Sequence, residues 1–142
     1  MANGLKEFSD FKPEDIHEEP LIYTSYVAAC EGHEPSYMPI KGMDHLKGIL
    51  EAKLEEYNEQ VASMNLVLFD QAMEHISRIA RIIDLPVGSA LLVGVGGSGK
   101  QSLAKLSSFI LGYEVMRIVV TTSYNMADLK VDIQGMFQKA GV

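Results

Sequence analysis

The stretch of sequence that decides the fold runs Ala90-Leu91-Leu92-Val93-Gly94-Val95-Gly96-Gly97-Ser98-Gly99-Lys100-Gln101-Ser102-Leu103. Its apolar beginning predicts a short buried strand over residues 89–93, and the residues from Gly99 to Leu111 predict an amphipathic helix. The glycines between them let backbone N–H groups point inward at an anion without Cβ clashes. Strand, glycine-rich loop, lysine and helix, in this order, are the architecture of a phosphate-binding P-loop.

The ligand predicted for this loop is a nucleoside triphosphate. Gly94, Gly99 and Lys100 meet the pattern G-x-x-x-x-G-K. The helix N-terminus adds unpaired N–H donors and the positive end of its dipole, and Lys100 adds an ammonium group for the outer phosphates. Gln101 stands where a Ser or Thr hydroxyl normally ligates Mg²⁺, so the sequence supports phosphate binding and leaves the position of Mg²⁺ open. A flexible glycine linker is disfavoured, because linkers are rarely flanked by an apolar strand and an amphipathic helix.

Composition narrows the class of protein. A chain of 142 residues with 47% hydrophobic residues is one globular domain at most. The net charge of −7 comes mostly from residues 1–35. The sequence contains no stripe of basic residues, so binding to nucleic acid is not indicated. No apolar run is long enough to span a membrane and no leader precedes the chain, so we expect a cytoplasmic location. The single Cys30 fits a reducing compartment, and the dispersed histidines predict no metal site.

The residues before the loop predict an irregular segment followed by two helices. Residues 1–40 contain four prolines and many acids, with a short strand or extended strap over residues 21–27. One apolar stripe, at steps of three and four, predicts a helix over residues 42–61. A second helix is predicted over residues 66–84, where a Leu-Pro pair ends it.

The residues after the loop predict a second strand and a last helix. The strand covers residues 115–121, and Asn125 resembles an N-cap with the carboxylate of Asp128 at the third helical position. Gly141 would be the C-cap. Because Asp128 and Asp132 lie on this helix, we interpret them as cap or surface charges, and no catalytic residue is predicted. From residue 66 the order is helix, strand, P-loop, helix, strand, helix, which indicates an α/β fold.

Several stretches beyond the loop resemble the fourth AAA+ module of dynein heavy chains. They are Asn65-Leu66-Val67-Leu68-Phe69-Asp70-Gln71-Ala72-Met73-Glu74-His75-Ile76, Asp128-Leu129-Lys130-Val131-Asp132 and Lys139-Ala140-Gly141-Val142, besides the loop itself. Upstream, Glu19-Pro20-Leu21-Ile22-Tyr23 and Tyr37-Met38-Pro39 are similar to the segment that joins the third module to the fourth. The Gly-Lys-Gln-Ser ending of the loop resembles the axonemal branch in particular.

The resemblance implies two regions and a set of nucleotide contacts. Residues 1–63 would be an inter-module segment with an acidic N-terminus and one helix, and residues 64–142 the first part of a P-loop AAA+ large subdomain. Leu66 and Val67 would lie against the adenine of ATP or ADP. The phosphates would be wrapped by Gly94, Val95, Gly96, Gly97, Ser98, Gly99, Lys100, Gln101 and Ser102.

The resemblance also implies a role larger than this chain. Dynein heavy chains are minus-end-directed microtubule motors, and the nucleotide site of the fourth module is regulatory. The implied partners are neighbouring AAA+ modules of the same heavy chain, dynein intermediate and light chains, and microtubules. The implied location is the cytoplasm and cytoskeleton, at the axoneme of cilia and flagella. Neither nucleic acid nor a membrane is implied.

Alternatives to a nucleotide-binding motor module remain open at this point. The loop could stand empty in a structural or interaction segment of the AAA+ ring, which Gln101 favours. A small P-loop kinase is disfavoured, because no loop clusters the arginines that clamp phosphates. We expect no hydrolysis by these residues alone, since no later apolar strand ends in the acid that positions Mg²⁺ and water. The two predicted strands would lack neighbours, which predicts a marginally stable domain.

Overall fold

The structure, a computed structural model, describes residues 21–141. The acidic residues predicted to be irregular at positions 1–20 lie outside the described residues, as does Val142. The elements are β1 (Tyr23–Thr24), α1 (Tyr26–Cys30), β2 (Met38–Pro39), α2 (Met43–Gln60), α3 (Asp70–Ile83), α4 (Lys100–Ile110) and α5 (Met126–Ala140). They form two compact units, of which the first ends at Gly112 and the second begins at Tyr113. None of the described helices is both long and apolar enough to cross a bilayer.

The core of the first unit lies where α2, α3 and α4 meet. The apolar side of α3 recurs at helical spacing and is buried along its length. Leu46 and Leu50 of α2 and Leu106 of α4 are each fully buried. The other buried apolar residues of this cluster are Tyr26, Val27, Tyr57, Leu68, Met73, Ile76 and Ala80. This packing holds α4, and therefore the loop before it, in a fixed position.

The segment before α2 is more ordered than the sequence predicts. The strand predicted over residues 21–27 covers only β1, which pairs antiparallel with β2 so that Tyr23 lies opposite Pro39. The rest of that prediction is wrong at Tyr26 and Val27, which belong to α1. The buried Tyr26 hydroxyl is hydrogen-bonded to Ser77 Oγ of α3 at 2.9 Å. One core thus joins residues on both sides of position 63. The predicted boundary between an inter-module segment, residues 1–63, and an AAA+ module, residues 64–142, stays a prediction.

The predicted helices are confirmed, with two corrections at their ends. The helix predicted over residues 42–61 ends at Gln60, so Val61 leaves the apolar stripe and is exposed. The helix predicted from Leu66 begins only at Asp70. Residues 62–69 before it have no regular secondary structure, and they bury Leu68 in the core instead. Gly112, with a φ of 75°, follows the end of α4 as predicted.

The two predicted strands of the α/β fold are wrong for this structure. Residues 89–93 and 115–121 have no regular secondary structure, and Leu91 and Val93 are 90% and 84% exposed. A strand needs a neighbour to pair its N–H and C=O groups, and within residues 21–141 the only sheet is the β1–β2 ribbon. The described fold is therefore helical with a small sheet, which is compatible with part of an α/β AAA+ module.

The second unit consists of an irregular stretch and α5. Asn125 caps α5 as predicted: its Oδ1 accepts from the N–H of Ala127 at 2.7 Å, and the Asp128 carboxylate accepts from the N–H of Asn125 at 2.9 Å. Gly141 closes the helix with a φ of 79°. The predicted apolar side of α5 is not buried, since Met126 and Phe137 are 69% and 56% exposed.

Candidate functional site

The glycine-rich loop owes its shape to two residues in the left-handed region. Gly97 has a φ of 79° and Gly99 a φ of 75°, which side chains other than glycine rarely adopt. The N–H of Ser98 donates to the carbonyl of Val95 at 3.3 Å and closes a turn. Gly99 is the N-cap of α4 and makes no side-chain cap, so the first-turn N–H groups of α4 are left for another acceptor.

The side chain of Lys100 folds back over this loop. Its ammonium donates to the carbonyl oxygens of Gly94 and Val95, the latter at 2.7 Å, and to Ser98 Oγ at 2.9 Å. A Cβ at Gly94 would lie 3.1 Å from Ser98 Oγ and 3.3 Å from Lys100 Nζ, closer than ordinary contacts. Glycine at position 94 therefore gives the ammonium room to sit among the oxygens of the loop.

The donors of this loop suit a phosphate group. The uncapped N–H groups at the start of α4 and the Lys100 ammonium carry partial or full positive charge beside a loop in which four of the six residues from 94 to 99 are glycine. Gln101 is exposed and Ser102 is half-buried at the first turn. Residues 21–141 contain no group of three or more His, Cys, Asp or Glu side chains that could hold a metal. The residues fit an anion and offer no cluster of protein ligands for a cation.

The two residues predicted to contact adenine differ in exposure. A Cβ at Gly99 would lie 4.0 Å from Leu66 Cδ1, so Leu66 lies beside the loop. Leu66 is half-buried and packs against the core cluster. Val67 is 72% exposed. The adenine contact of both residues stays a prediction.

Helix α4 is anchored by contacts that the sequence analysis missed. The hydroxyl of Ser107 is fully buried, and its one hydrogen is shared between the carbonyl of Leu103, at 2.8 Å, and that of Ile76, on α3, at 3.3 Å. Phe109 packs edge-on against Tyr57 of α2 with ring centroids 5.2 Å apart. The signal for Ser107 was its position four residues after Leu103, on the inward stripe of the predicted helix.

The titratable groups near α5 make structural contacts. Asp128 belongs to the capping box, which confirms its predicted role as a cap charge. Asp132 accepts a hydrogen bond from the Tyr124 hydroxyl at 2.6 Å, and this bond raises the pKa of Tyr124 to about 12.

In the first unit, burial raises the pKa of the Cys30 thiol, so this cysteine is a poor nucleophile.

Comparisons with known proteins agree on one family. The sequence profile of the family described as P-loop containing dynein motor region D4 matches residues 64–142. The chain is 56% identical over 128 residues to the dynein beta chain of the flagellar outer arm of Chlamydomonas reinhardtii, with 89% of this chain and 3% of that protein covered.

Two animal proteins are also similar. Dynein axonemal heavy chain 17 of Homo sapiens is 43% identical over 142 residues, which cover 100% of this chain and 3% of the relative. The ciliary dynein beta chain of Heliocidaris crassispina is 45% identical over 137 residues, which cover 96% of this chain and 3% of the relative. The chain therefore spans about 3% of the length of these curated relatives, which are heavy chains of ciliary and flagellar dyneins.

Proposed function

Because this chain belongs to the dynein heavy chains, the family of the P-loop containing motor region D4, we propose that its loop binds the phosphates of ATP or ADP. The observation that carries the proposal is the Lys100 ammonium at a glycine loop that opens directly into the uncapped N-terminus of α4. Residues 94–102 would hold the polyphosphate, and Leu66 would cover one side of the nucleotide. The position of Mg²⁺ depends on whether Gln101 or Ser102 supplies an oxygen ligand.

We further propose that this chain forms the regulatory nucleotide site of the fourth AAA+ module. The description of the matching family as region D4 supports this assignment. For the larger protein we propose minus-end-directed movement on microtubules in cilia and flagella. Its partners would be neighbouring AAA+ modules, intermediate and light chains, and the microtubule. The names of the axonemal and ciliary relatives support that setting.

Binding at this loop requires Lys100 to exchange acceptors. The ammonium now donates to Gly94, Val95 and Ser98. Phosphate oxygens carry more negative charge than carbonyl or hydroxyl oxygens, so the Coulomb attraction of the ammonium to them is stronger at the same distance. The phosphate would therefore recruit the ammonium while the N–H groups of α4 complete its coordination.

The experiment uses isothermal titration calorimetry to measure ATP binding by the full chain. The three forms compared are the wild type, Lys100→Ala and Lys105→Ala. Lys100→Ala should weaken the affinity for ATP by roughly tenfold or more, because a charge-assisted contact contributes about 1.5–3 kcal/mol. Lys105→Ala is the matched control, since Lys105 lies on the same helix, outside the loop. It should leave the affinity within a factor of about two. Equal affinities of the wild-type chain and Lys100→Ala would overturn the proposal.

A second candidate is a structural segment whose loop holds no nucleotide. Two observations favour it: the Lys100 ammonium is already supplied with oxygen acceptors, and Gln101 replaces the usual hydroxyl residue. In that case the calorimeter would record no binding of ATP or ADP to the wild-type chain. A saturable signal that Lys100→Ala removes would exclude this candidate.

A further inference from the structure

A second concave surface lies on the first unit, apart from the loop residues. It is a cavity of about 280 Å³ between residues 21–23 and the polar side of α3. Its walls include Leu21, Tyr23, Glu74, Arg78 and Arg81. No residue of the glycine loop lines it, so what it binds is independent of the nucleotide proposal.

Two guanidinium groups stand at this cavity. Arg78 and Arg81 are three residues apart on α3 and so face the same side of the helix. Arg78 lies 3.4 Å from the carboxylate of Glu74. The only hydrogen bond of the Arg81 side chain within residues 21–141 goes to the Tyr37 hydroxyl, also at 3.4 Å. The Arg81 guanidinium therefore has no carboxylate partner within residues 21–141, although the chain as a whole is strongly acidic.

One member of an exposed aromatic pair, Tyr23, lines the same cavity. The rings of Tyr23 and Tyr37 are stacked with centroids 5.6 Å apart, and 41% and 53% of the two residues is exposed. Leu21 beside them is 57% exposed. Arginine and tyrosine are among the residue types enriched in protein–protein interfaces, and lysine and glutamate are depleted there. The combination has the composition of a binding surface for another polypeptide.

We propose that the Arg78–Arg81 surface, formed by Leu21, Tyr23, Tyr37, Arg78 and Arg81, binds an acidic polypeptide segment. A carboxylate of the partner pairs with Arg81 as a bidentate acceptor, and a neighbouring apolar side chain packs on Leu21 and the tyrosine pair. The proposal goes beyond nucleotide binding and does not depend on it.

The surroundings favour a carboxylate over a phosphate. Arg81 lies in the last turn of α3, where the helix dipole places partial negative charge. Glu74 adds a full negative charge at the wall of the cavity. A phosphate dianion meets twice the repulsion of a single carboxylate there, and it offers no apolar group for the exposed Leu21 and tyrosine rings. A peptide that alternates acidic and apolar residues satisfies both parts of the surface.

The test measures fluorescence anisotropy of a labelled peptide that alternates Glu with Leu and Tyr, titrated with the full chain. Arg81→Gln should weaken binding by about tenfold, as is typical of a central interface arginine. Tyr37→Ala should weaken it by several-fold, because it removes the stacked ring. Arg117→Gln is the matched control, since it removes the same charge from an exposed arginine of the second unit. It should leave binding within a factor of about two.

Four outcomes would overturn the proposal. The wild-type chain could fail to bind the peptide. Arg117→Gln could weaken binding as much as Arg81→Gln, which would show a general effect of net charge. A peptide with Gln in place of each Glu could bind equally well, which would leave only apolar contact. Inorganic pyrophosphate could displace the peptide and lose its own affinity in Arg81→Gln, which would identify a phosphate site. Nucleotide titration of Arg81→Gln separates this test from that of the loop.

Discussion

A single residue, Lys100, has two alternative sets of hydrogen-bond acceptors. In the described structure its ammonium is held by oxygens of the loop itself, from Gly94, Val95 and Ser98. In the proposed complex, phosphate oxygens would replace them. Because the lysine is stored close to where it acts, little of its side-chain entropy remains to be lost on binding. The same contact means that the anion must compete with the loop, which limits the affinity.

The left-handed backbone of the loop leads to a prediction about Gly99. A Cβ at φ 75° costs about 1–2 kcal/mol, so Gly99→Ala should lower the free energy of unfolding by about that amount. Gly96→Ala is the control, because Gly96 has no positive φ and no atom within 4 Å of an added Cβ. It should be neutral or slightly stabilising. Urea denaturation of both variants measures the difference, and equal free energies would show that Gly99 does not need its left-handed conformation.

At the scale of elements, Ser107 is predicted to hold α4 against α3. Its hydroxyl reaches the carbonyl of Ile76, whereas the hydroxyl of the neighbouring Ser108 reaches only Ala104, within α4. Both serines bond back to the preceding turn, so the comparison combines the contact between helices with the greater burial of Ser107. Ser107→Ala should lower the free energy of unfolding by about 1 kcal/mol, and Ser108→Ala should change it by a few tenths at most.

Thermal and urea unfolding followed by circular dichroism compare the two serine variants. If Ser107→Ala and Ser108→Ala unfold at the same denaturant concentration, the contact with Ile76 contributes nothing. If Ser107→Ala is less stable and also binds ATP more weakly, the position of α4 affects the loop. Loss of stability with unchanged nucleotide affinity would confine Ser107 to folding.

Local signals predicted the helices, and they could not predict the strands. The start of α5 follows from Asn125 and Asp128 and its end from Gly141, and each of these residues acts on backbone groups within a few positions of itself. Strand formation at residues 89–93 depends on a partner segment elsewhere, and the apolar sequence contains no information about whether that partner is present. The contact of Ser107 with Ile76 is non-local in the same way. The glycine turn before α4 was predictable because its glycines and Lys100 are contiguous, whereas its role as a phosphate site stays a prediction.

The buried core and the exposed apolar segments set the stability of the whole molecule. Residues 91–95 and 115–120 contain apolar side chains that gain little from burial in this structure, with Val95 82% and Val120 74% exposed. Each buried methylene contributes about 0.8 kcal/mol, so the first unit depends on the small cluster around Leu106. The marginal stability expected from the unpaired strands stays a prediction.

Two leucine-to-alanine variants test that balance with the same chemical change. Leu106 is fully buried among α2, α3 and α4, and Leu91 is 90% exposed. Leu106→Ala should lower the free energy of unfolding by about 2–5 kcal/mol, which is enough to unfold a marginal domain. Leu91→Ala should leave the unfolding midpoint unchanged and reduce aggregation, because it removes an exposed apolar side chain.

Urea denaturation and light scattering of the two leucine variants at equal concentration distinguish the possibilities. A large loss of stability in Leu91→Ala would mean that residues 89–93 are packed as the strand that the sequence predicts, and the described exposure would be wrong. A small loss in Leu106→Ala would mean that α4 is not held by the core, which would also remove the physical basis for a rigid loop. We expect a large loss of stability in Leu106→Ala and none in Leu91→Ala. This result would show that the glycine loop depends on the helical core, because α4 follows the loop directly and packs in that core.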